Sequence, residues 1–564
     1  MTHADTVAYF SMEIGLEPDI PTYSGGLGML SGDTVRSAAD AGLPMVAVSL
    51  VHRKGYFRQR LDAAGRQSEE PQPWPVESRL QPVEALARIE IEHRPVWLRA
   101  WRYDVAGRGG AVVPVFLLDA DVAENDPADR GLTDFLYGGD QRYRLCQEVI
   151  LGIGGVRLLR ALGYGAIRRF HMNEGHASLL VVELGHELAR HNGGVITDDV
   201  VAQVKPMCAF TTHTPVPSGH DQFPLDLVAR VITGYGRAFD ERAVRFCLNR
   251  VLNMTYLALD NSRFVNGVAK RHGEISQHMF AQYKVDSITN GVHAATWAAP
   301  PIAALFDRHI TAWRDDNASL RYALGIPKME LWAAHELAKQ QLLDAVRVRT
   351  GVALAESAFT IGFARRATAY KRADLLFHDL ARLRRVHASA GPFQVLLAGK
   401  AHPHDESGKE LIRRIFDVMR SLEDEVRIVY LEDYDMALAR LMVAGCDLWL
   451  NTPQPPLEAS GTSGMKAAMN GVPQLSVLDG WWLEGCIEGV TGWAIGGDNH
   501  GAGTEDGASD AQSLYSKLEM VVLPMYYRDQ DRYIEVMRHA IALNGSFFNT
   551  ERMVDQYVRK AYFA

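Results

Sequence analysis

Cysteine is scarce in this 564-residue chain: Cys146, Cys208, Cys247, Cys446 and Cys486 are scattered, odd in number and never spaced as C-x-x-C. That pattern gives neither a disulfide framework nor a zinc framework, and it suits a reducing compartment. No apolar run reaches membrane-spanning length, and the first residues, MTHADTVAYF, lack the basic-then-apolar pattern of a secretory signal. A basic excess is missing too. The formal net charge of -9 argues against nucleic acid or a membrane surface as partner, so any anionic ligand must be met by a local cluster of cations. Internal repeats and long low-complexity tracts are also absent. What remains is an ordinary globular composition, 47% hydrophobic and 23% charged, in a chain long enough for two or three domains. A cytoplasmic protein is the expectation.

The chain opens with an apolar strand, VAYFSME (Val7–Glu13), followed by Tyr23-Ser24-Gly25-Gly26-Leu27-Gly28, a helix through roughly 31–41 and a second strand over 45–51. Strand, glycine loop, helix and strand make a unit typical of nucleotide- or phosphate-binding α/β domains. The GGLG loop lacks a Walker lysine. Its reading is close backbone approach to an anion, with a plain tight turn as the competing one. Residues 57–120 alternate like antiparallel strands and read as a β-rich insertion. From 359 onward, near-continuous apolar strands alternate with helices, which predicts a parallel sheet covered on both faces. The fold class is α/β, with two facing Rossmann-like domains and a cleft between them. The expected domains are 1–298 and 299–564, with the last helices returning to pack on the first.

One stretch focuses the reading. Asn451–Gly471, NTPQPPLEASGTSGMKAAMNG, leaves a short strand, crosses a Pro-rich elbow and feeds a helix through small residues. Free N–H groups and the dipole at such a helix start favour an anion. Lys466 sits in the first turns, where its charge opposes the dipole; either it is a solvated lysine or its position has a use. A second cluster, Arg365-Arg366-Ala367-Thr368-Ala369-Tyr370-Lys371-Arg372, follows directly after the strand FTIGFAR. Four cations at the C-terminal end of a parallel strand suit phosphate, held by Arg forks and a Lys point charge; a solvated charge run is the alternative. Lys466 is expected two strand-ends away in the same sheet.

The run His171-Met172-Asn173-Glu174-Gly175-His176 invites a metal reading, but its order is H-x-N-E-x-H rather than H-E-x-x-H on one helix face. No metal is expected there, nor at His402 and His404. His213, just past a strand end, stands where α/β folds place ligand contacts.

Nine ordered blocks then carry a resemblance: YFSMEIGL, YSGGLG, HMNEGHAS, TTHTPVP, NGVAKRHGEIS, SITNGVHAATW, RRATAYKR, YLEDYDMALA and EASGTSGMKAAMNG. The chain resembles the α-glucan phosphorylases, the glycogen, starch and maltodextrin phosphorylase family, in its shorter microbial branch. The resemblance implies the GT-B plan of two Rossmann-like domains and phosphorolysis of α-1,4-glucan to α-glucose 1-phosphate. Lys466 would hold pyridoxal 5'-phosphate as a Schiff base, whose phosphate relays a proton. Thr462, Ser463, Gly464 and Arg365 would grip that cofactor, while Tyr434 and Trp297 line its pocket. Arg366, Lys371 and the Gly26 amide, beside Gly25, would hold inorganic phosphate. His213, Asn290, Glu458, Ser460 and Gly461 would hold the glucosyl unit, with Tyr370 and His176 completing the wall. A homodimer is the family expectation. Burial beside cations lowers a lysine pKa, so the awkward place of Lys466 becomes useful for imine formation. A nucleotide-sugar glucosyltransferase of the same plan is the nearest rival, but it would lack the lysine. Departures from the family pattern are Gly464, where many members have Asn, and Met29 and Asp435, which replace residues that are often basic.

Overall fold

The computed structural model describes residues 5–190, 195–216, 219–235, 246–496 and 507–563. Pro217, the last residue of TTHTPVP, lies outside them. Apolar stretches buried on both faces set the central strands of the N-terminal part, and more polar, partly exposed stretches set its hairpin and outer strands. In chain order these are β1 (Thr6–Ser11), β2 (Met45–Leu50), a hairpin of β3 (Arg58–Leu61) and β4 (Gln67–Glu70), and the long strands β5 (Gln81–Ile91), β6 (Arg94–Ala106) and β7 (Val112–Asp119). There follow β8 (Ile167–Asn173), β9 (Cys208–Thr211), a small antiparallel sheet of β10 (Gln222–Pro224), β11 (Cys247–Leu248) and β12 (Val251–Asn253), then β13 (Phe264–Gly267) and β14 (Asp286–Ser287).

The chain divides into two compact units. The first takes Met1–Phe57, Pro71–Thr289 and Met553–Ala564. Its main sheet runs β14-β13-β9-β8-β1-β2-β7-β6-β5, parallel from β14 to β7 and antiparallel over β7, β6 and β5. Successive residues of a strand point to opposite faces, so Ala8 and Phe10 enter one apolar cluster and Val7 and Tyr9 the other. Both clusters are fully covered, which is why β1 and β2 read as unbroken apolar runs. Met553, Val554, Tyr557, Ala561 and Tyr562 complete the second cluster.

The second unit takes Arg58–Glu70 and Asn290–Arg552. Its strands β15 (Phe359–Ala364), β16 (Phe393–Ala398), β17 (Ile428–Leu431), β18 (Leu448–Asn451), β19 (Gln474–Val477) and β20 (Gly492–Ile495) are all parallel and buried. Their order is β17-β16-β15-β18-β19-β20, so the winding reverses between β15 and β18. That is the doubly wound order, and ligands of such sheets bind outside the strand carboxyl ends at the reversal. No helix among the described residues is long and apolar enough to cross a membrane.

Candidate active site

In the first unit the glycine loop feeds the helix Gly26–Asp40, with Gly25 as its N-cap. The glycines divide by task. A Cβ on Gly28 would meet Glu13 Oε2 and Tyr23 Cβ at 2.7 Å, so that glycine is needed for packing. A Cβ on Gly25 or Gly26 would meet nothing within 4 Å, which leaves the loop's backbone open. Glu13 fixes that loop: its Oε2 accepts from Ser24 N at 2.6 Å and Gly25 N at 3.2 Å, while Oε1 accepts from Tyr137 Oη at 2.9 Å.

His213 lies past the end of β9, as its place in the sequence implies. Its backbone N–H donates to Glu174 Oε2 at 2.7 Å, and its Nε2 lies 2.6 Å from Asn173 Oδ1. Burial pushes its pKa down to about 4, against the pull of Glu174, so the ring is neutral at pH 7. Glu174 has φ +78°, a region that disfavours side chains, and it is held there by bonds from Gly175 N, His213 N and Thr214 Oγ1. His176 Nε2 lies 3.2 Å from Asp221 Oδ2, which also pairs with Arg144 at 2.7 Å. His171 takes no part in this group; it contacts Tyr562 Oη and Thr211 Oγ1. Among the described residues, no group of three or more His, Cys, Asp and Glu side chains is arranged for a metal ion.

In the second unit the two motifs emerge from neighbouring strands. Arg365 and Arg366 follow β15, and Asn451 ends β18, which is hydrogen-bonded directly to β15. The sequence expectation of two strand-ends is therefore shortened to one. Arg365 donates through Nη1 to Asn451 Oδ1 at 2.7 Å and through Nη2 to Glu458 Oε2 at 2.6 Å. Lys371 Nζ donates to the same carboxylate oxygen and lies 4.4 Å from the Tyr370 ring centroid. Burial alone would raise the Glu458 carboxyl, but these two cations outweigh it and hold its pKa at about 2. Arg366 is exposed. Arg372 belongs to the scaffold rather than the site: it bonds the Thr452 and Pro453 carbonyls and Asp510.

The helix spans Thr462–Met469, three residues earlier than Met465, where the sequence pattern opens, so Lys466 falls in its last turn and its charge complements the dipole rather than opposing it as expected from the sequence. Gly461, at φ +89°, is its N-cap in the left-handed region. Ser463 Oγ accepts from Trp449 Nε1 at 3.2 Å. Lys466 is only 6% exposed, and its Nζ lies 4.0 Å from the ring centroid of the buried Trp297. Asn470 ties the two together, donating to the carbonyls of Trp297 and Lys466. Gly464 has no room for a side chain: a Cβ would lie 1.6 Å from Gln474 Oε1 and 3.0 Å from Trp481. Tyr434 lies in the loop after β17, and Asp435 beside it caps the helix Met436–Gly445 through Leu438 N. The side-chain oxygens Ser460 Oγ, Asn290 Oδ1 and Thr368 Oγ1 are buried without a hydrogen-bond partner. Buried oxygens without partners are acceptors for a polar ligand, and the Lys466 amine on the Trp297 face and the cations at Glu458 suit a ligand that carries a phosphate.

Sequence reasoning left Glu13 unassigned, and read Asn173 and Glu174 only as metal candidates. The signal for Glu13 was a carboxylate at the end of an otherwise apolar buried strand.

Residues 239–488 match the family model described as carbohydrate phosphorylase. The chain is 40% identical to a maltodextrin phosphorylase of Thermococcus litoralis, over 99% of this chain and 70% of that one. It is 38% identical to a glycogen phosphorylase of Mycobacterium bovis, over 99% and 70% of the two chains. A glycogen phosphorylase of Aquifex aeolicus is 34% identical over all of this chain and 86% of its own.

Proposed function

Because the chain belongs to the carbohydrate phosphorylase family, we propose that it is an α-glucan phosphorylase. It would transfer the terminal glucosyl unit of an α-1,4-glucan to inorganic phosphate, giving α-glucose 1-phosphate with retention. The observation that carries this reading is the meeting of Arg365, Lys371, Glu458 and the Lys466 helix at the carboxyl ends of β15 and β18, where the strand order reverses. A GT-B type fold is part of the proposal and rests on the resemblance. So do the cytoplasmic location and the homodimer.

The chain's own residues account for the chemistry as follows. Arg365 and Lys371 share the one carboxylate of Glu458, so this buried set brings two cations to one oxygen, and Arg366 follows Arg365 directly in the chain. A phosphate dianion suits those cations, with Arg366 offering a two-pronged donor and Lys371 a point charge. Gly26 would add a backbone N–H at a helix start. Glu458, Ser460, Gly461, Asn290 and His213 would orient the sugar, with Tyr370 and His176 walling the site. The phosphate hydroxyl gives its proton to the glycosidic oxygen as the C1–O bond breaks. A phosphate oxygen then bonds C1 from the same face, so the carboxylate pair of a glycosidase is not needed. Water must be excluded, or hydrolysis competes.

Pyridoxal 5'-phosphate fits the residues beside this set. Lys466 would hold it, with Thr462, Ser463, Gly464 and Arg365 at its phosphate and Trp297 and Tyr434 around its ring. Bound there, it supplies a second phosphate as proton relay to the first. Lys466→Ala is expected to abolish glucose 1-phosphate formation while leaving the circular dichroism spectrum unchanged. Borohydride treatment of the wild type, followed by peptide mass mapping, is expected to mark Lys466. Retained turnover, or an unmarked Lys466 in cofactor-replete protein, would overturn the assignment.

A further inference from the structure

The loop that carries Glu458, Ser460 and Gly461 makes no regular secondary structure, so its shape must come from elsewhere. It comes from the turn after β19, at the start of the segment DGWWLEG. Asp479 Oδ2 accepts from Glu458 N at 2.8 Å, and its Oδ1 accepts from Gly480 N at 2.9 Å. Trp481 N donates to Ser460 O at 2.9 Å. Gly480, at φ +55°, lies so close that a Cβ there would sit 2.5 Å from Ser460 O and 3.1 Å from Glu458 Cγ. The turn is thus bonded at both ends of the Glu458–Ser460 step, with Gly480 pressed against the Ser460 carbonyl and the Glu458 side chain.

We propose that Asp479, with Gly480 and Trp481, is the positioning residue that sets the Glu458–Gly461 loop for the glucosyl unit. Its carboxylate faces Glu458 and Lys371, and it acts through Glu458 rather than on the substrate. The reason for a carboxylate is geometric. Two N–H groups on separate strands of chain converge on it, and a carboxylate offers an acceptor to each, whereas an amide turns a donor toward one of them. Burial raises its pKa to about 7, and those two N–H groups pull the other way. A Glu458 freed from that bond can still pair with Arg365 and Lys371, but its oxygens are no longer fixed relative to Ser460. The inference rests on the function proposed above.

A double-mutant cycle tests it on the cofactor-loaded enzyme, with α-glucan at saturating phosphate. Asp479→Asn is expected to lower kcat/KM about 10- to 100-fold, the range of one charge-assisted hydrogen bond. In a Glu458→Gln background the same change is expected to cost less than about 2-fold, because the residue it works through is already altered. An equal loss in both backgrounds would overturn the proposal. Should Asp479→Asn not fold, Gly480→Ala displaces the same loop without touching its charge, and the same non-additivity is expected; an additive effect overturns it. Amide hydrogen exchange over 457–461 gives a readout independent of turnover. Slow exchange in the wild type and faster exchange in Asp479→Asn are expected, and unchanged protection contradicts the positioning role. An enzyme that makes no glucose 1-phosphate, yet shows this loss of protection, would refute the proposed function and leave the turn's role standing.

Discussion

At the scale of single residues, the site turns on a buried carboxylate held ionised by two cations. Glu458 has its pKa brought down to about 2, against about 4.3 for an unperturbed glutamate. A lowered folded-state pKa stabilises the fold above the unfolded value, and that share is lost as pH falls from about 4.3 toward 2. Its size is on the order of 3 kcal/mol. Urea unfolding of the wild type and Glu458→Gln at pH 6 and pH 3 reads it directly. The stability gap is expected to be wide at pH 6 and to narrow at pH 3; a gap independent of pH would show that the pairing contributes little. The cation cluster itself was legible in the sequence, because cations concentrated in an acidic chain stand out, but its pairing with Glu458 was not. That Arg372 bonds carbonyls and Asp510 was not, since a charge run does not say which of its members face inward.

At the scale of elements, Gly464 shows how a departure from a family pattern is absorbed by its surroundings. Gln474 on β19 fills the space a side chain at 464 would take, and its Oε1 also accepts from Asn451 Nδ2 at 3.2 Å. Gly464→Asn is therefore expected to destabilise the protein by about 1–3 kcal/mol through overpacking. Adding Gln474→Ser should restore most of the loss, as measured by chemical denaturation. Equal stability of the single variant and the wild type would contradict this packing. Five of the six strands in the second unit were plain from their unbroken apolar runs, whereas β20, a short GWAI stretch, was not. The neighbourhood of β15 and β18 was not, because strand order is fixed by connections that leave no local trace in composition. The early start of the helix at Thr462 was likewise hidden, since Thr, Ser and Gly are weak helix formers and Gly461 supplies the left-handed N-cap.

At the scale of the whole molecule, distant segments of chain complete each unit. Residues 58–70 join the second unit, where Gln59 pairs with Asp433 and Gly399 and Gln67 with Ala401. The alternation of that hairpin shows two strands but carries no signal about the core they join. In the first unit, Tyr557 and Tyr562 close a buried network with His171, Thr211 and Asn266. Burial holds His171 well below its usual pKa, at about 3, so it stays neutral and relies on those hydroxyls. Tyr562→Phe leaves one imidazole nitrogen without its partner and is expected to cost about 1–3 kcal/mol in unfolding free energy. A change within error would remove this network as a stabilising element. The proposed function stands on phosphate being a reactant. The direct measurement is incubation of the cofactor-loaded protein with an α-1,4-glucan, with and without inorganic phosphate, following glucose 1-phosphate and glucose. Glucose 1-phosphate that forms only when phosphate is present is the result expected, and glucose released at the same rate without phosphate would contradict it.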